Sequence, residues 1–192
     1  MPLLQGRPKA LTTIFEHGSL TVLKRFFILF LLIQAVLFTA ELLPWGQAWV
    51  VKPFTALLAE IAASLITLLG RDIHTSGVII YDIATPFAVM IEAGCNGIEA
   101  TILLIAAVLA FPAPWKHKLY GLLIGFAAIQ GLNLVRIVSL FFIGLWNETA
   151  FEWAHLYVWQ ALIMLDAIVV FLLWIRTLPR TRTMNADEAV AH

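Results

Sequence analysis

The sequence predicts an all-α polytopic membrane protein: a bundle of about four spanning helices, five or six helices in all, with an amphipathic or re-entrant helix and a short β-hairpin on its outer face. Three observations carry that expectation. Of 192 residues, 61% are hydrophobic and only 12% are charged, against roughly 25% charged in a soluble domain. Long apolar runs alternate with short polar connections. The basic residues gather in alternate connections, as the positive-inside rule requires.

The elements follow in order. Phe26–Leu43 is an apolar run preceded by Lys24 and Arg25, and it reads as a first span. It is too long for a cleavable signal peptide and lacks a small-x-small site. Lys52–Leu69 carries a bulky face (Phe54, Leu57, Leu58, Ile61, Leu65, Leu68) and a small or polar one (Thr55, Ala59, Glu60, Ala63, Ser64, Thr67). That pattern is an amphipathic helix, expected at the outer interface or re-entrant. Residues 71–94 are interrupted by Asp72, His74, Asp82, Pro86 and Glu92, so they do not read as a span. Val78–Ile83 and Phe87–Ile91, separated by Ala84-Thr85-Pro86, read as a β-hairpin. Ile98–Phe111, closed by Pro112 and Pro114, is the second span. Leu119–Trp146 is the third; at about 42 Å it must tilt or project. Leu156–Ile175 is the fourth, followed by Arg176, Arg180 and Arg182.

Nine of the twelve Lys and Arg residues fall before the first span, between the second and third, or after the fourth. Those segments are expected in the cytoplasm. Trp45, Trp49, Trp146, Trp153 and Trp159 then form an aromatic belt near the outer interface. The domain reading is a cytoplasmic segment over residues 1–24, one membrane-embedded catalytic domain over 25–176, and a disordered cytoplasmic tail over 177–192. Zero formal net charge gives no reason to expect nucleic acid.

Three chemically distinctive residues fall at one depth. Cys95, the single cysteine, lies in Gly94-Cys95-Asn96-Gly97-Ile98 at the mouth of the second span. It is about 24 Å of helix from the cytoplasmic end at Phe111. Arg136 lies about 26 Å up the third span, and His155 about 31 Å from Arg176. All three are expected near the outer boundary. A lone cysteine excludes an internal disulfide and a CxxC redox pair, and is commonly an inert small hydrophobe. Here, Gly94 and Gly97 permit a tight entry, and the helix start is expected to lower the thiol pKa and bind an oxyanion. Arginine inside an apolar run is functional by default; the structural alternatives are a snorkelling side chain or a buried ion pair with Glu99. Gln130, Asn133 and Arg136 make a polar stripe expected to face the interior. Glu152-x-x-His155 lacks the second copy that a di-metal site needs, HExxH is absent, and no metal or other cofactor is expected.

With Gly94-Cys95-Asn96-Gly97-Ile98, Asn133-Leu134-Val135-Arg136 and His155 in view, the chain resembles the exosortase/archaeosortase family over roughly residues 25–176. Ala110-Phe111-Pro112-Ala113-Pro114 and His155-Leu156-Tyr157-Val158-Trp159-Gln160 look most like its exosortase H branch. Asn96 stands where the family often has Ser or Thr. The resemblance implies a membrane cysteine transpeptidase in the bacterial inner membrane, its site facing the periplasm or exterior. The implied partners are membrane-anchored proteins with a C-terminal sorting signal: a motif of the IPTLxxWG type, a transmembrane helix and a basic tail. The expected roles are Cys95 as nucleophile, His155 as base and acid, and Arg136 as oxyanion donor. Asn96, Gly97, Glu99 and Asn133 are the supporting residues. Two rival readings remain open: a proton-coupled transporter using Glu60, Glu99, Arg136 and Asp166, and a non-catalytic assembly factor binding through Gly121, Gly125 and Gly131.

Overall fold

The computed structural model describes residues 9–178, with side chains described from residue 20 onward. Residues 1–8 and the expected tail over 179–192 lie outside that range. The first helix, α1 (Lys9–Leu42), begins well before the apolar run. It ends where Leu43 turns extended, with φ −68° and ψ 147°, ahead of Pro44. The chain then doubles back so closely that a Cβ on Gly46 would overlap the Ala40 carbonyl.

Helix α2 (Pro44–Leu68) follows, widened to a π-helical turn at Gln47–Val51. It buries Thr55, Ala59, Ala62 and Ala63 together with Leu58 and Ile66, while Glu60, Ser64 and Thr67 of the expected small or polar face are exposed. The bulky Leu57, Ile61, Leu65 and Leu68 are exposed. In lipid this is the favoured arrangement, because small residues let helices approach and large apolar ones meet acyl chains at no cost.

The polar connection is a three-stranded antiparallel sheet, not a two-stranded hairpin. Strands β1 (Ile73–Ser76), β2 (Ile79–Asp82) and β3 (Ala88–Met90) pair in the order β1-β2-β3. Ile73 faces Asp82, and Ile80 faces Val89. The reading of the sequence missed β1 because Asp72, His74 and Ser76 disguise a period-two pattern: Ile73 and Thr75 are half-buried, His74 and Ser76 exposed. Gly77, with φ 59°, makes the turn. Asp82 anchors the end of β2, its Oδ2 accepting from Arg71 Nη2 at 2.7 Å and from Thr85 Oγ1 at 2.6 Å.

The remaining helices are α3 (Ile98–Ala110), α4 (Trp115–Trp146) and α5 (Glu148–Arg176). Asn147 caps α5, its side-chain oxygen accepting from the Ala150 N–H at 2.8 Å. Helix α3, surrounded by α1, α4 and α5, is only 13 residues, about 20 Å. Leu104 and Val108 of α3 share a core with Ile129 of α4 and with Ala167 and Trp174 of α5.

Ring contacts among Phe26, Phe111, Phe171 and Trp174 close one end of the bundle. Arg25 and Arg176 sit beside those rings in sequence, and Lys118 Nζ donates to the Leu109 carbonyl, two residues before Phe111, at 2.6 Å. A second core, with Ala59, Ala63, Ile66, Ile80, Ile91, Ile137 and Phe141, lies towards the other end. Helices α1, α3, α4 and α5 therefore run alternately between the two ends. Four helices are long and apolar enough to cross a membrane: α2, α4, α5 and Leu20–Leu42 of α1. The sequence reading had instead counted α3, as its second span, and left α2 interfacial or re-entrant. Along α4, α2 packs from Phe54 against Phe126 to Ile66 near Phe141, with Thr55 level with Asn96.

Gly121 marks a tight contact between α4 and α5, since its Cβ position is filled by the indole of Trp174. That indole donates to the His117 carbonyl at 2.9 Å. Gly121→Ala is expected to displace it and cost about 1–3 kcal/mol, read as a lower unfolding midpoint in detergent. An unchanged midpoint would mean that the indole moves freely.

Candidate active site

The segment Ile91–Gly97 returns the chain from the sheet into α3. Gly94 (φ 83°) and Gly97 (φ 73°) both adopt the left-handed conformation that glycine tolerates without strain. Gly97 is doubly constrained, because an added Cβ would lie 2.9 Å from Gln130 Nε2. Asn96 is fully buried. Its amide donates to Thr55 Oγ1 at 3.0 Å and its oxygen accepts from Ile98 N–H at 3.0 Å, locking the start of α3.

The three distinctive residues meet. Cys95 Sγ is 3.1 Å from His155 Nε2, and Arg136 Nη2 donates to the same sulfur at 3.4 Å. Arg136 Nη1 donates to the Gly94 carbonyl at 3.3 Å. With the ring proton on Nδ1, His155 Nε2 accepts from the thiol. The histidine sits in a second π-helical turn, Ala154–Trp159, a feature that recurs at functional sites. Phe151, one turn earlier, stacks on its ring at 5.6 Å between centroids.

Arg136 is 1% exposed and has no carboxylate partner among the described residues. The alternative of an ion pair with Glu99 is not formed; among the described residues the one salt bridge is Arg71–Asp82. Glu99 Oε1 instead accepts from the Gly94 N–H at 2.6 Å. The local reason is reach: Glu99 lies in the first turn of α3 and is closest to the peptide that leads into Cys95. Cys95 N–H is also taken, by the Glu92 carbonyl at 3.0 Å. Among the described residues, the N–H groups of Asn96 and Gly97 have no such acceptor.

Burial pushes the Cys95 thiol above its ordinary pKa, and Arg136 opposes that shift while Glu92 and Glu99 add to it. This reverses the expectation that the helix start would dominate. Desolvation of the thiolate outweighs one guanidinium and a partial dipole charge. The resting sulfur is therefore protonated near neutral pH, and His155 is placed to receive its proton.

A family model described as transmembrane exosortase matches residues 9–175. The chain belongs to the transmembrane exosortase family. No curated protein and no solved structure matches it. For this exosortase the family supports a membrane transpeptidase role in protein sorting. The multi-pass character agrees with its long apolar helices.

Of the supporting residues, Gly97 and Asn96 shape the turn, and Glu99 holds Gly94. Asn133 lies against Gly97, its Cγ 3.4 Å from the position of a Cβ there. Both its side-chain polar atoms are buried without a partner among the described residues. Gln130, Asn133 and Arg136 are all buried, as the stripe predicts. Gln130 Nε2 donates to Gly97 O at 3.3 Å and to Thr101 Oγ1 at 3.2 Å. The contributions of Thr55 and Phe151 escaped the sequence reading. Thr55 resembled any polar member of an amphipathic face; the i, i+4 spacing of Phe151 and His155 was available as a signal.

Because the thiol is raised, its alkylation by iodoacetamide should accelerate with pH through and beyond the ordinary thiol range of about 8.5. Arg136→Ala removes the influence that lowers this pKa, so alkylation at pH 7–8 should slow further. Faster alkylation in a folded Arg136→Ala protein would contradict this assignment.

Proposed function

We propose that this exosortase is a membrane-embedded cysteine protease and transpeptidase that cleaves the C-terminal sorting signal of exported proteins and passes them to an acceptor. The observation that carries the reading is the 3.1 Å contact between Cys95 Sγ and His155 Nε2, with Arg136 on the same sulfur. In this mechanism, His155 takes the thiol proton as sulfur attacks the scissile carbonyl. A raised resting pKa makes this concerted transfer necessary, since a preformed thiolate would need no base. The developing oxyanion is met by Arg136 and by the N–H groups of Asn96 and Gly97. Gly94 N–H, held by Glu99, and Cys95 N–H, held by Glu92, are not available for it.

His155 then returns the proton to the leaving amine, and the C-terminal fragment departs with its transmembrane helix and basic tail. A thioacyl-enzyme remains on Cys95 until an acceptor nucleophile resolves it. The basic ends of the helices fall away from Cys95, which supports a site facing the periplasm of a bacterial inner membrane. A signal of the IPTLxxWG type is the substrate implied by resemblance to the exosortase H branch.

Co-expression with a reporter ending in such a signal tests the reading. Cys95→Ala should abolish processing and the thioester adduct seen by mass spectrometry. His155→Ala should slow processing by about 10²–10⁴. Arg136→Lys should lose about 10²–10³, because a point charge does not reproduce the planar fork. Normal processing by stably folded Cys95→Ala would end the thioacyl mechanism.

A further inference from the structure

Between α4 and α5 lies a cleft of about 420 Å³. Arg136 lines it, and the same guanidinium donates to Cys95 Sγ, so the cleft is continuous with the site. Leu132 on its α4 wall and Leu162, Leu165 and Val169 on its α5 wall are exposed. In a bilayer the cleft therefore opens sideways onto acyl chains. Two further lining side chains are polar and buried: Asn133 is 1% exposed and Asp166 is 9%. Asn133 Nδ2, Asn133 Oδ1 and Asp166 Oδ2 are buried with no hydrogen-bond partner among the described residues.

Orphaned polar atoms in an apolar wall are costly, and their types select the occupant. An acyl chain satisfies none of them, and a cation would leave Asn133 Nδ2 unmet. A peptide backbone brings both kinds of partner, carbonyls for the nitrogen and N–H groups for the two oxygens. Depth narrows the choice to a helix start. Asn133 is three residues below Arg136, about 4.5 Å, and Asp166 eleven residues below His155, about 16 Å. A chain presented to Cys95 must be extended at the bond to be cut, because a helical carbonyl is occupied by the N–H four residues on. A membrane helix that follows that bond begins deeper. Its first four N–H groups have no partner within the helix, and lipid supplies none. Asn and Asp are the side chains that best accept from those groups, and a carboxylate also meets the positive end of the helix dipole.

We infer that Asn133 and Asp166 cap, in trans, the first turn of the substrate's transmembrane helix. Asn133 Oδ1 and Asp166 Oδ2 accept from its free N–H groups, and Asn133 Nδ2 donates to a carbonyl of the extended stretch above it. The inference rests on the transpeptidase reading and adds two positioning residues to it, neither of which touches the reacting atoms. Holding the helix start at that depth leaves at most about five residues of extended chain between it and the sulfur, at about 3.3 Å per residue. The cleft thereby measures the scissile bond from the helix that follows.

The test uses the full chain in phosphatidylcholine vesicles and a synthetic peptide with an IPTLxxWG-type signal and its transmembrane helix. Asn133→Leu and Asp166→Leu should each raise KM about tenfold and leave kcat within threefold. Both should also raise the unfolding midpoint in detergent, since a near-isosteric apolar group replaces orphaned polar atoms. Asp166→Asn keeps an acceptor and should hold KM within threefold of wild type. A lowered midpoint with unchanged KM would reduce the pair to structural residues, and an Asp166→Asn variant as impaired as Asp166→Leu would overturn capping. Peptides in which one backbone N–H of the first helical turn is replaced by an ester oxygen, position by position, probe the bond itself. At one or two positions the ester should raise KM for wild type and leave Asp166→Leu indifferent; additive effects at every position would overturn the contact. In a third arm, benzoylphenylalanine in place of Leu162 in a Cys95→Ala chain should crosslink to the start of the peptide's helix. Crosslinks to lipid alone would overturn the cleft as its seat. A wild-type protein that cuts no such peptide would instead overturn the transpeptidase reading, while the Leu162 crosslinks still decide the cleft.

Discussion

A buried guanidinium without a carboxylate is the constraint around which the bundle is organised. Ionised groups are not taken out of water unless something replaces the solvent. Here the replacements are the Gly94 carbonyl and the Cys95 sulfur. Arg136 makes these two contacts only if the Gly94–Gly97 turn approaches α4 closely, its Nε keeping no partner among the described residues, and the approach requires Gly97, where a Cβ would lie 2.9 Å from Gln130 Nε2. Asn96 and Glu99 then hold the turn from its other sides. Had Arg136 been neutralised by Glu99, its field at the sulfur would have been largely cancelled. Leaving it unpaired keeps its charge directed at the reacting atom.

The two ends of the bundle use different physics. One is sealed by aromatic rings and by an indole lying on Gly121, contacts that need no polar partner and suit helices in hydrocarbon. The other gathers polar side chains, a small sheet and a helix that does not reach the aromatic end. The 32 residues of α4, about 48 Å long, join both. Its near half packs into the aromatic end, and its far half carries Gln130, Asn133 and Arg136 before meeting α2 and the sheet. One long rod thus supports a lipid-like assembly and a polar one.

Much of this was legible from residue patterns. The helices were visible in the apolar runs, and the depth of Cys95, Arg136 and His155 followed from counting along them, because rise per residue is fixed. Partnership was much less legible. Glu99 could be placed one turn from Cys95, but not whether its carboxylate faced Arg136 or the Gly94 peptide, since both lie within a side chain's reach. The direction of the thiol's pKa was misjudged for a similar reason: burial depends on neighbours remote in sequence. Strand β1 was hidden by polar residues that suit a solvent-facing edge. The role of α2 was ambiguous because length and hydropathy cannot say which helix a stretch will lean against.

The widened turn that carries His155 has a geometric consequence. Successive residues of a regular helix are separated by about 100° of rotation. Below the turn, the azimuth of α5 is dictated by Ala167 and Trp174, which must face the core. An uninterrupted α-helix propagated upward from those anchors would present a different angular position to Cys95. The extra residue acts like a slipped tooth in a gear, letting the lower half keep its seat while the imidazole is aimed independently. Orientation of the base is thereby uncoupled from the fit of the rod that bears it.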